Sequence, residues 1–245
     1  MDRIIIDRLF DAGQEIQLNG PPLEALRFQG GRVGSLITLT DSKGNDFRGR
    51  VLRLSKGEAS VLIFDAYPWP TESPLEILLL QAIPEKERME LIIQKATELG
   101  VSAIIPFKSE RSISLEEREK KQKKAHRWQE IAIKAVQQSR RAKIPKVEPY
   151  RTFEEALEVC KGDGLKILLW EKKGLNLRNV LKEYFPQKVY VMVGPEGGFN
   201  EGEVELAKGK GFIAIKLGQR ILRTETAAIA LMAILQFELG DLSTI

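Results

Sequence analysis

Residues 189–200 read Val-Tyr-Val-Met-Val-Gly-Pro-Glu-Gly-Gly-Phe-Asn. An unbroken apolar run of this kind is typical of a strand buried on both faces, and here it leads directly into three glycines and a proline, which let the backbone approach a ligand closely. Asn200, with Glu203 three residues later, has the pattern of a capping box at the start of a helix. The spacing is neither GxGxxG nor GxxxxGK[ST], so it supports neither a dinucleotide site nor an ATP site.

The same alternation of strands and helices extends through the C-terminal part of the chain. The apolar periods predict strands at residues 77–80, 103–107, 167–170, 189–193 and 213–217, and helices at 89–99, 115–140, 176–184, 201–208 and 224–239. This order predicts an α/β fold with a largely parallel sheet covered by helices on both faces. Because ligands of such sheets bind beyond the carboxyl ends of the strands, the loops at residues 170–174, 194–200 and 217–226 are the candidate site.

The N-terminal part of the chain has a different pattern. Short, partly alternating runs predict strands at residues 3–10, 15–18, 35–40, 46–54 and 59–64, separated by turn-forming residues. A small β-barrel is the simplest way to close such a sheet. Pro68, Pro70 and Pro74 stiffen the connection that follows, so the sequence predicts two domains, residues 1–68 and 69–245.

Composition excludes several classes of protein. The chain has 245 residues, of which 43% are hydrophobic and 29% charged, enough apolar surface for a real core. Its single cysteine, Cys160, cannot form an internal disulfide, and its single histidine, His126, leaves no ligand set for zinc, so we expect no metal. The longest apolar run, residues 227–235, is about half a membrane span, and we expect a cytoplasmic protein that does not enter a membrane.

Positive charge is concentrated in one stretch. Residues 120–146 contain ten lysines and arginines against Glu130 alone, a local charge of +9, although the whole chain carries only +4. This asymmetry suggests a polyanionic partner, with a solvated helix face as the alternative.

Five segments together resemble a known family. They are residues 94–101 (Gln-Lys-Ala-Thr-Glu-Leu-Gly-Val), 109–112 (Ser-Glu-Arg-Ser), 137–145 (from Gln-Gln-Ser-Arg-Arg to Ile-Pro), 194–199 and 217–227. In this order they resemble the RsmE family of small-subunit ribosomal RNA uridine-N3 methyltransferases, within the SPOUT superfamily, over most of the chain. The resemblance implies a PUA-like N-terminal β-barrel that binds RNA, a SPOUT-type C-terminal domain with a trefoil knot, and a homodimer. It also implies 16S rRNA, within the small ribosomal subunit, as the partner.

The resemblance further implies S-adenosyl-L-methionine as the cofactor, bound by the three candidate loops. The residues expected to bind it are Leu169, Trp170, Val193, Gly194, Pro195, Glu196, Gly197, Leu217, Gly218, Ile221, Leu222 and Thr226.

Transfer to uracil N3 requires loss of the N3 proton. A group with a pKa about two units above neutral costs roughly 2.7 kcal/mol to ionise at pH 7. A carboxylate base or an arginine that stabilises charge on the uracil oxygens offsets this, and the candidates are Arg223, Glu110, Glu196 and Arg141. The candidate RNA-binding residues are Arg111, Arg140, Arg141, Lys143 and Lys146.

Two alternatives to this function stay open at the level of sequence. One is a related SPOUT enzyme that methylates tRNA or a ribose hydroxyl. The other is a non-catalytic RNA-binding factor for ribosome assembly that has kept the fold but not the chemistry.

Overall fold

The computed structural model of the chain describes residues 3–66, 72–84, 88–113, 117, 127–139 and 141–243. The chain divides into two compact units, one of Met1–Glu72 with Val136–Lys143 and one of Ser73–Ala135 with Ile144–Ile245. The sequence predicts a domain boundary after residue 68. The first unit of the structure extends four residues further, to Glu72, and also includes the short returning segment Val136–Lys143.

The N-terminal unit is built on a five-stranded sheet. Its strands are β1 (Arg3–Ile5), β2 (Glu15–Leu18), β3 (Leu36–Thr40), β4 (Asp46–Leu54) and β5 (Ala59–Ala66), in the order β1-β3-β4-β5-β2. β1 is parallel to β3, and the other pairs are antiparallel. Side chains from all five strands and from helix α1 (Gly20–Phe28) share one apolar core.

Helix α1 begins where the sequence suggests a break. Pro21 and Pro22 lie in its first turn. The first amides of a helix have no intrahelical acceptor, so a proline there loses no hydrogen bond and its fixed φ suits the helix. The two prolines therefore start an element that the sequence analysis did not predict.

The C-terminal unit contains a seven-stranded, wholly parallel sheet. Its strands are β6 (Glu76–Ala82), β7 (Ala103–Phe107), β8 (Lys146–Val147), β9 (Leu165–Leu169), β10 (Leu175–Asn176), β11 (Lys188–Val193) and β12 (Ile213–Lys216). They lie in the order β10-β12-β9-β11-β6-β7-β8. The predicted α/β fold with a parallel sheet is confirmed.

Helices cover both faces of this sheet. They are α2 (Arg88–Glu98), α3 (Trp128–Ser139), α4 (Phe153–Val159), α5 (Leu177–Glu183), α6 (Glu201–Gly209) and α7 (Thr224–Leu239). Alternate residues of β11 enter opposite cores: Val189, Val191 and Val193 pack with α2, α5 and α7, while Tyr190 and Met192 pack with α4 and α6. A strand buried on both faces explains why its sequence is apolar without a break.

The helix predicted over residues 115–140 is described only in its last part, as α3. Arg140, His126 and the lysines at positions 120, 121, 123 and 124 lie outside the described residues. Over the part of the chain that is described, no helix is both long enough and apolar enough to cross a bilayer.

Candidate functional site

A cavity of about 500 Å³ opens at the carboxyl ends of β9, β11 and β12. The last residues of these strands, Leu169, Val193 and Lys216, all contribute to its wall. The three loops that follow the strands therefore meet at one pocket, as expected for an open parallel sheet. Besides those three residues, the pocket is lined by Arg88, Trp170, Glu171, Gly194, Pro195, Glu196, Gly197, Gly198, Ile215, Leu217, Arg220, Ile221, Leu222, Arg223, Thr224 and Ala227.

The loop at residues 194–198, here named the glycine loop, is tightly packed against its neighbours. A Cβ added to Gly194 would lie 3.2 Å from the ring of Phe199, and one added to Gly197 would lie 3.1 Å from the Cβ of Arg111. Gly198 has a φ of +67°, in the left-handed region that favours glycine. The backbone conformation at Gly198 and the close contacts at Gly194 and Gly197 favour glycine at these positions.

Thr224 anchors the glycine loop from beneath. Its hydroxyl is buried and donates to the carbonyl oxygen of Gly194 at 2.6 Å. It also accepts from Nε2 of Gln81, at the end of β6, at 3.2 Å. Because a hydroxyl has only one proton, the bond from Gln81 directs that proton toward Gly194. Three segments distant in sequence are thus joined at the floor of the pocket.

Arg88 holds the glycine loop from another side. Its guanidinium is ion-paired with Glu196, and its Nε lies 3.7 Å from a carboxylate oxygen of Glu225 at the start of α7. All three side chains are partly or largely shielded from solvent. The ion pair with Arg88 therefore fixes the position of the Glu196 carboxylate at the pocket wall.

The loop after β7 adds a third attachment. Nη1 of Arg111 donates to the carbonyl oxygen of Gly197 at 2.9 Å, and the Glu110 carboxylate accepts from Nδ2 of Asn200. Asn200 and Glu203 form the predicted capping box of α6, with the Glu203 amide donating to Asn200 at 2.8 Å. One carboxylate oxygen of Glu203 accepts from the Asn200 amide at 3.0 Å, and the other accepts from the Glu110 amide at 2.9 Å. The second bond ties Glu110 to the helix.

The pocket brings together all but two of the residues predicted to bind the cofactor. Gly218 and Thr226 do not line it: Gly218 lies in the loop between Leu217 and Arg220, and Thr226 is exposed on α7. Of the predicted catalytic residues, Arg223 and Glu196 line the pocket, whereas Glu110, in the loop after β7, lines a separate cavity with Asn200 and Glu203.

The remaining predicted residues lie elsewhere. Arg141 belongs to the N-terminal unit, where its guanidinium is only 6% exposed and pairs with Glu72 at 2.8 Å. A buried pair of this kind is a structural contact, so a catalytic or RNA-binding role for Arg141 rests on the sequence alone. Lys143 and Lys146 are exposed, Lys146 pairs with Glu148 at 2.7 Å, and Arg140 lies outside the described residues.

Sequence reasoning missed several residues of the pocket wall. Arg88 lines the wall, and Gln81 supports it through its bond to Thr224. Both lie far before the other site residues in the sequence and carry no motif, so only the folded chain brings them to the site. The position of Thr224, directly after Arg223 at the start of an apolar helix, could have indicated a site residue. The same position is equally typical of a residue that only caps the helix. Glu171, Lys216 and Arg220 also line the wall.

Comparison with known proteins places the chain in a family. Residues 71–236 match the RNA methyltransferase domain family. The ribosomal RNA small subunit methyltransferase E of Bacillus subtilis is 30% identical over 84% of this chain and 82% of its own length. The protein of that name from Mesomycoplasma hyopneumoniae is 35% identical over 74% of this chain and 78% of its own.

A solved structure extends the likeness to the whole chain. The ribosomal RNA small subunit methyltransferase E of Neisseria gonorrhoeae, bound to S-adenosyl methionine, is 36% identical, with a TM-score of 0.75 and 99% of each chain covered. A parallel α/β domain with a pocket beyond three strand ends, together with these matches, defines the class: the chain belongs to the RNA methyltransferase family. Its relatives there are the small-subunit ribosomal RNA methyltransferases E, which confirms the resemblance seen in the sequence.

Proposed function

We propose that this protein transfers a methyl group from S-adenosylmethionine to N3 of a uridine in 16S ribosomal RNA. The observation that carries the proposal is the pocket at the ends of β9, β11 and β12, which lies within the residues that match the RNA methyltransferase family. Methyltransferases of small-subunit ribosomal RNA are the relatives that cover most of the chain, and the solved relative binds the same cofactor.

The pocket wall suits S-adenosylmethionine. Its volume of about 500 Å³ is in the range of small-molecule sites. Leu169, Leu217 and Leu222 provide apolar wall for the adenine, and the glycine loop brings backbone groups to the amino acid part. The carboxylate of Glu171 is placed to attract a positive group of the ligand, since that of Glu196 is paired with Arg88. When bound there, S-adenosylmethionine supplies an electrophilic methyl group on a sulfonium.

The chain's own residues have three tasks in the reaction. Arg223 is exposed at the pocket wall and makes no capping bond with its side chain, so its guanidinium is placed to stabilise negative charge on the uracil oxygens. Glu196, fixed by Arg88, or Glu110, fixed by Asn200, accepts the N3 proton. The anchored glycine loop contributes the remaining acceleration by holding the sulfonium methyl in line with the uracil nitrogen.

Further parts of the proposal follow from the family resemblance and several features of the chain. We include a homodimer, because helix α7 is apolar over most of its length and exposes Ile234 and Phe237. We also include closure of the N-terminal sheet as a PUA-like barrel, a trefoil knot in the C-terminal unit, domains near residues 1–68 and 69–245, and a cytoplasmic substrate within the small ribosomal subunit.

The test is transfer of labelled methyl from S-adenosylmethionine to unmodified small ribosomal subunits, with naked 16S rRNA and tRNA in parallel, followed by nucleoside mass analysis. We expect label as 3-methyluridine in the subunit. Label on tRNA or on a ribose would instead identify a related enzyme of the superfamily. Cofactor binding too weak to measure would favour the assembly factor.

A further inference from the structure

The C-terminal end of α1 presents an aromatic side chain to solvent. Phe28, the last residue of the helix, is 93% exposed. The loop after it continues the apolar surface with Val33 and Leu36, both exposed. A single exposed apolar side chain is common, but a group of them marks a surface that binds a partner.

Basic residues accompany these apolar side chains. Residues 27–36 and 50–56 contain Arg27, Arg32, Arg50, Arg53 and Lys56 and no carboxylate. Arg53 is paired with Glu15 at 2.8 Å, whereas the other four form no ion pair with any carboxylate in the described part of the chain. The nearest acidic residues in sequence, Glu24 and Glu58, flank the two segments and do not lie within them.

Hydrogen bonds bring the two segments side by side. Nη2 of Arg27 donates to the Ser55 carbonyl at 2.7 Å, and the Gly34 amide donates to the Val51 carbonyl at 2.8 Å. Leu36 of β3 pairs directly with Arg50 of β4. We name the exposed side chains of these two segments, Phe28, Val33, Leu36, Arg27, Arg32, Arg50 and Lys56, the Phe28 surface.

We propose that the Phe28 surface binds unpaired RNA by stacking a base on the ring of Phe28 while Arg32, Arg50 and Lys56 contact phosphates. The charge and the aromatic ring together decide the occupant: an apolar protein partner has no need of cations that lack an ion-pair partner, and a duplex offers no free base face. This inference rests on the proposed RNA substrate and names a part of the molecule that holds it, away from the methyl-transfer pocket.

Stacking and charge predict different responses to substitution. Phe28→Leu keeps an apolar side chain but removes the π-face, so we expect binding of in vitro transcribed 16S rRNA to weaken by about tenfold, in the range known for base stacking. Phe28→Trp restores the face and is expected to bind within about threefold of the unchanged protein. Arg32→Gln with Arg50→Gln should lower the slope of log affinity against log salt by about 1.4, because each single-strand phosphate contact contributes roughly 0.7.

A matched control is available in the C-terminal unit. Phe185 is 87% exposed, nearly as open as Phe28, but lies between Glu183 and Lys188, in a stretch of mixed charge. Phe185→Leu is therefore expected to leave RNA affinity within about twofold. The measurement is filter binding in the absence of S-adenosylmethionine, so it reports RNA affinity whether or not methyl transfer occurs.

Four results would overturn the inference. If Phe28→Leu and Phe28→Trp lowered RNA affinity equally, stacking on Phe28 would be excluded. Equal losses of RNA affinity in Phe28→Leu and Phe185→Leu would exclude it as well. Unchanged RNA affinity of Phe28→Leu in a protein that still methylates RNA would reject the surface while leaving the proposed function intact. A changed oligomeric state of Phe28→Leu in sedimentation, with unchanged RNA affinity, would make the surface a contact between copies of the chain.

Discussion

Single hydrogen bonds and single methyl groups decide the shape of the pocket. The Thr224 hydroxyl is the only side-chain group among the described residues that bonds to the Gly194 carbonyl, and both are buried. The conformation of the glycine loop therefore depends on an atom that need not touch the cofactor.

Thr224→Val removes that hydroxyl at nearly constant volume. It leaves the Gly194 carbonyl and Nε2 of Gln81 short of a partner, so we expect a loss of about 1–3 kcal/mol in the free energy of unfolding. We also expect about tenfold weaker binding of S-adenosylmethionine in calorimetry, because the loop loses its anchor, and recovery in Thr224→Ser. Thr40→Val, which breaks a buried bond to Asp46 in the N-terminal unit, should reduce stability without changing cofactor affinity.

Gly174 shows the same sensitivity through packing. A Cβ at this position would lie 2.6 Å from the carbonyl carbon of Ile215 and 2.7 Å from the Lys216 nitrogen, and neither backbone atom can rotate away. Gly174→Ala is expected to lower the free energy of unfolding by about 1–3 kcal/mol through overpacking of β10 on β12. Gly209→Ala, at a helix end with open space, should instead raise it by about 0.5–1 kcal/mol, and equal effects in urea titrations would contradict this reading.

At the scale of elements, strands and helices with a strong local pattern could be predicted from the sequence. Strands β4 and β7 and helix α7 have the predicted bounds, because alternation, an apolar run and turn residues mark them locally. Helix α4 was not predicted, although Thr152 and Glu155 form its capping box and Phe153, Ala156 and Leu157 have helical spacing. The Arg88 contact with Glu196 could not be predicted, because it depends on the adjacency of β6 and β11.

Two capping boxes allow a comparison of stability with activity. Thr152 caps α4, and Asn200 caps α6 while also donating to Glu110. Replacing either with alanine should lower the free energy of unfolding by about 1 kcal/mol. Only Asn200→Ala should also slow methyl transfer, because it releases Glu110. Equal rates for the two variants in a single-turnover assay would remove Glu110 from the mechanism.

Cys160, the single cysteine of the chain, directly follows helix α4. Burial raises the pKa of Cys160 to about 12, and the side chain packs in the apolar core on that face of the sheet. Since only the thiolate reacts readily, the native protein should not react with a thiol-modifying disulfide at pH 8 and should react with one equivalent in denaturant. Rapid reaction of the native protein would show that this face opens in solution.

At the scale of the whole molecule, the N-terminal unit depends on a segment from far along the chain. Glu72 pairs with Arg141 and accepts from the amides of Ala142 and Lys143 at 2.8 and 2.9 Å. The sequence offers no local sign of this return, because the segment Val136–Lys143 reads as the end of a basic helix.

Arg141→Gln would leave the Glu72 carboxylate buried without its cation. We expect a loss of about 3–5 kcal/mol in the free energy of unfolding, and recovery of much of it when Glu72→Gln is added. Methyl transfer measured well below the melting temperature should stay within about threefold. A large fall in kcat in a variant that remains folded would instead support the catalytic role predicted for Arg141.

The return of Val136–Lys143 to the N-terminal unit also has a consequence for synthesis. A ribosome makes a chain from the N-terminus onward, and domains usually fold as they emerge. Here the first unit to emerge lacks one of its parts until more than sixty further residues have been added. During that interval the five strands are complete, but the Glu72 carboxylate has no arginine beside it until the segment Val136–Lys143 is made.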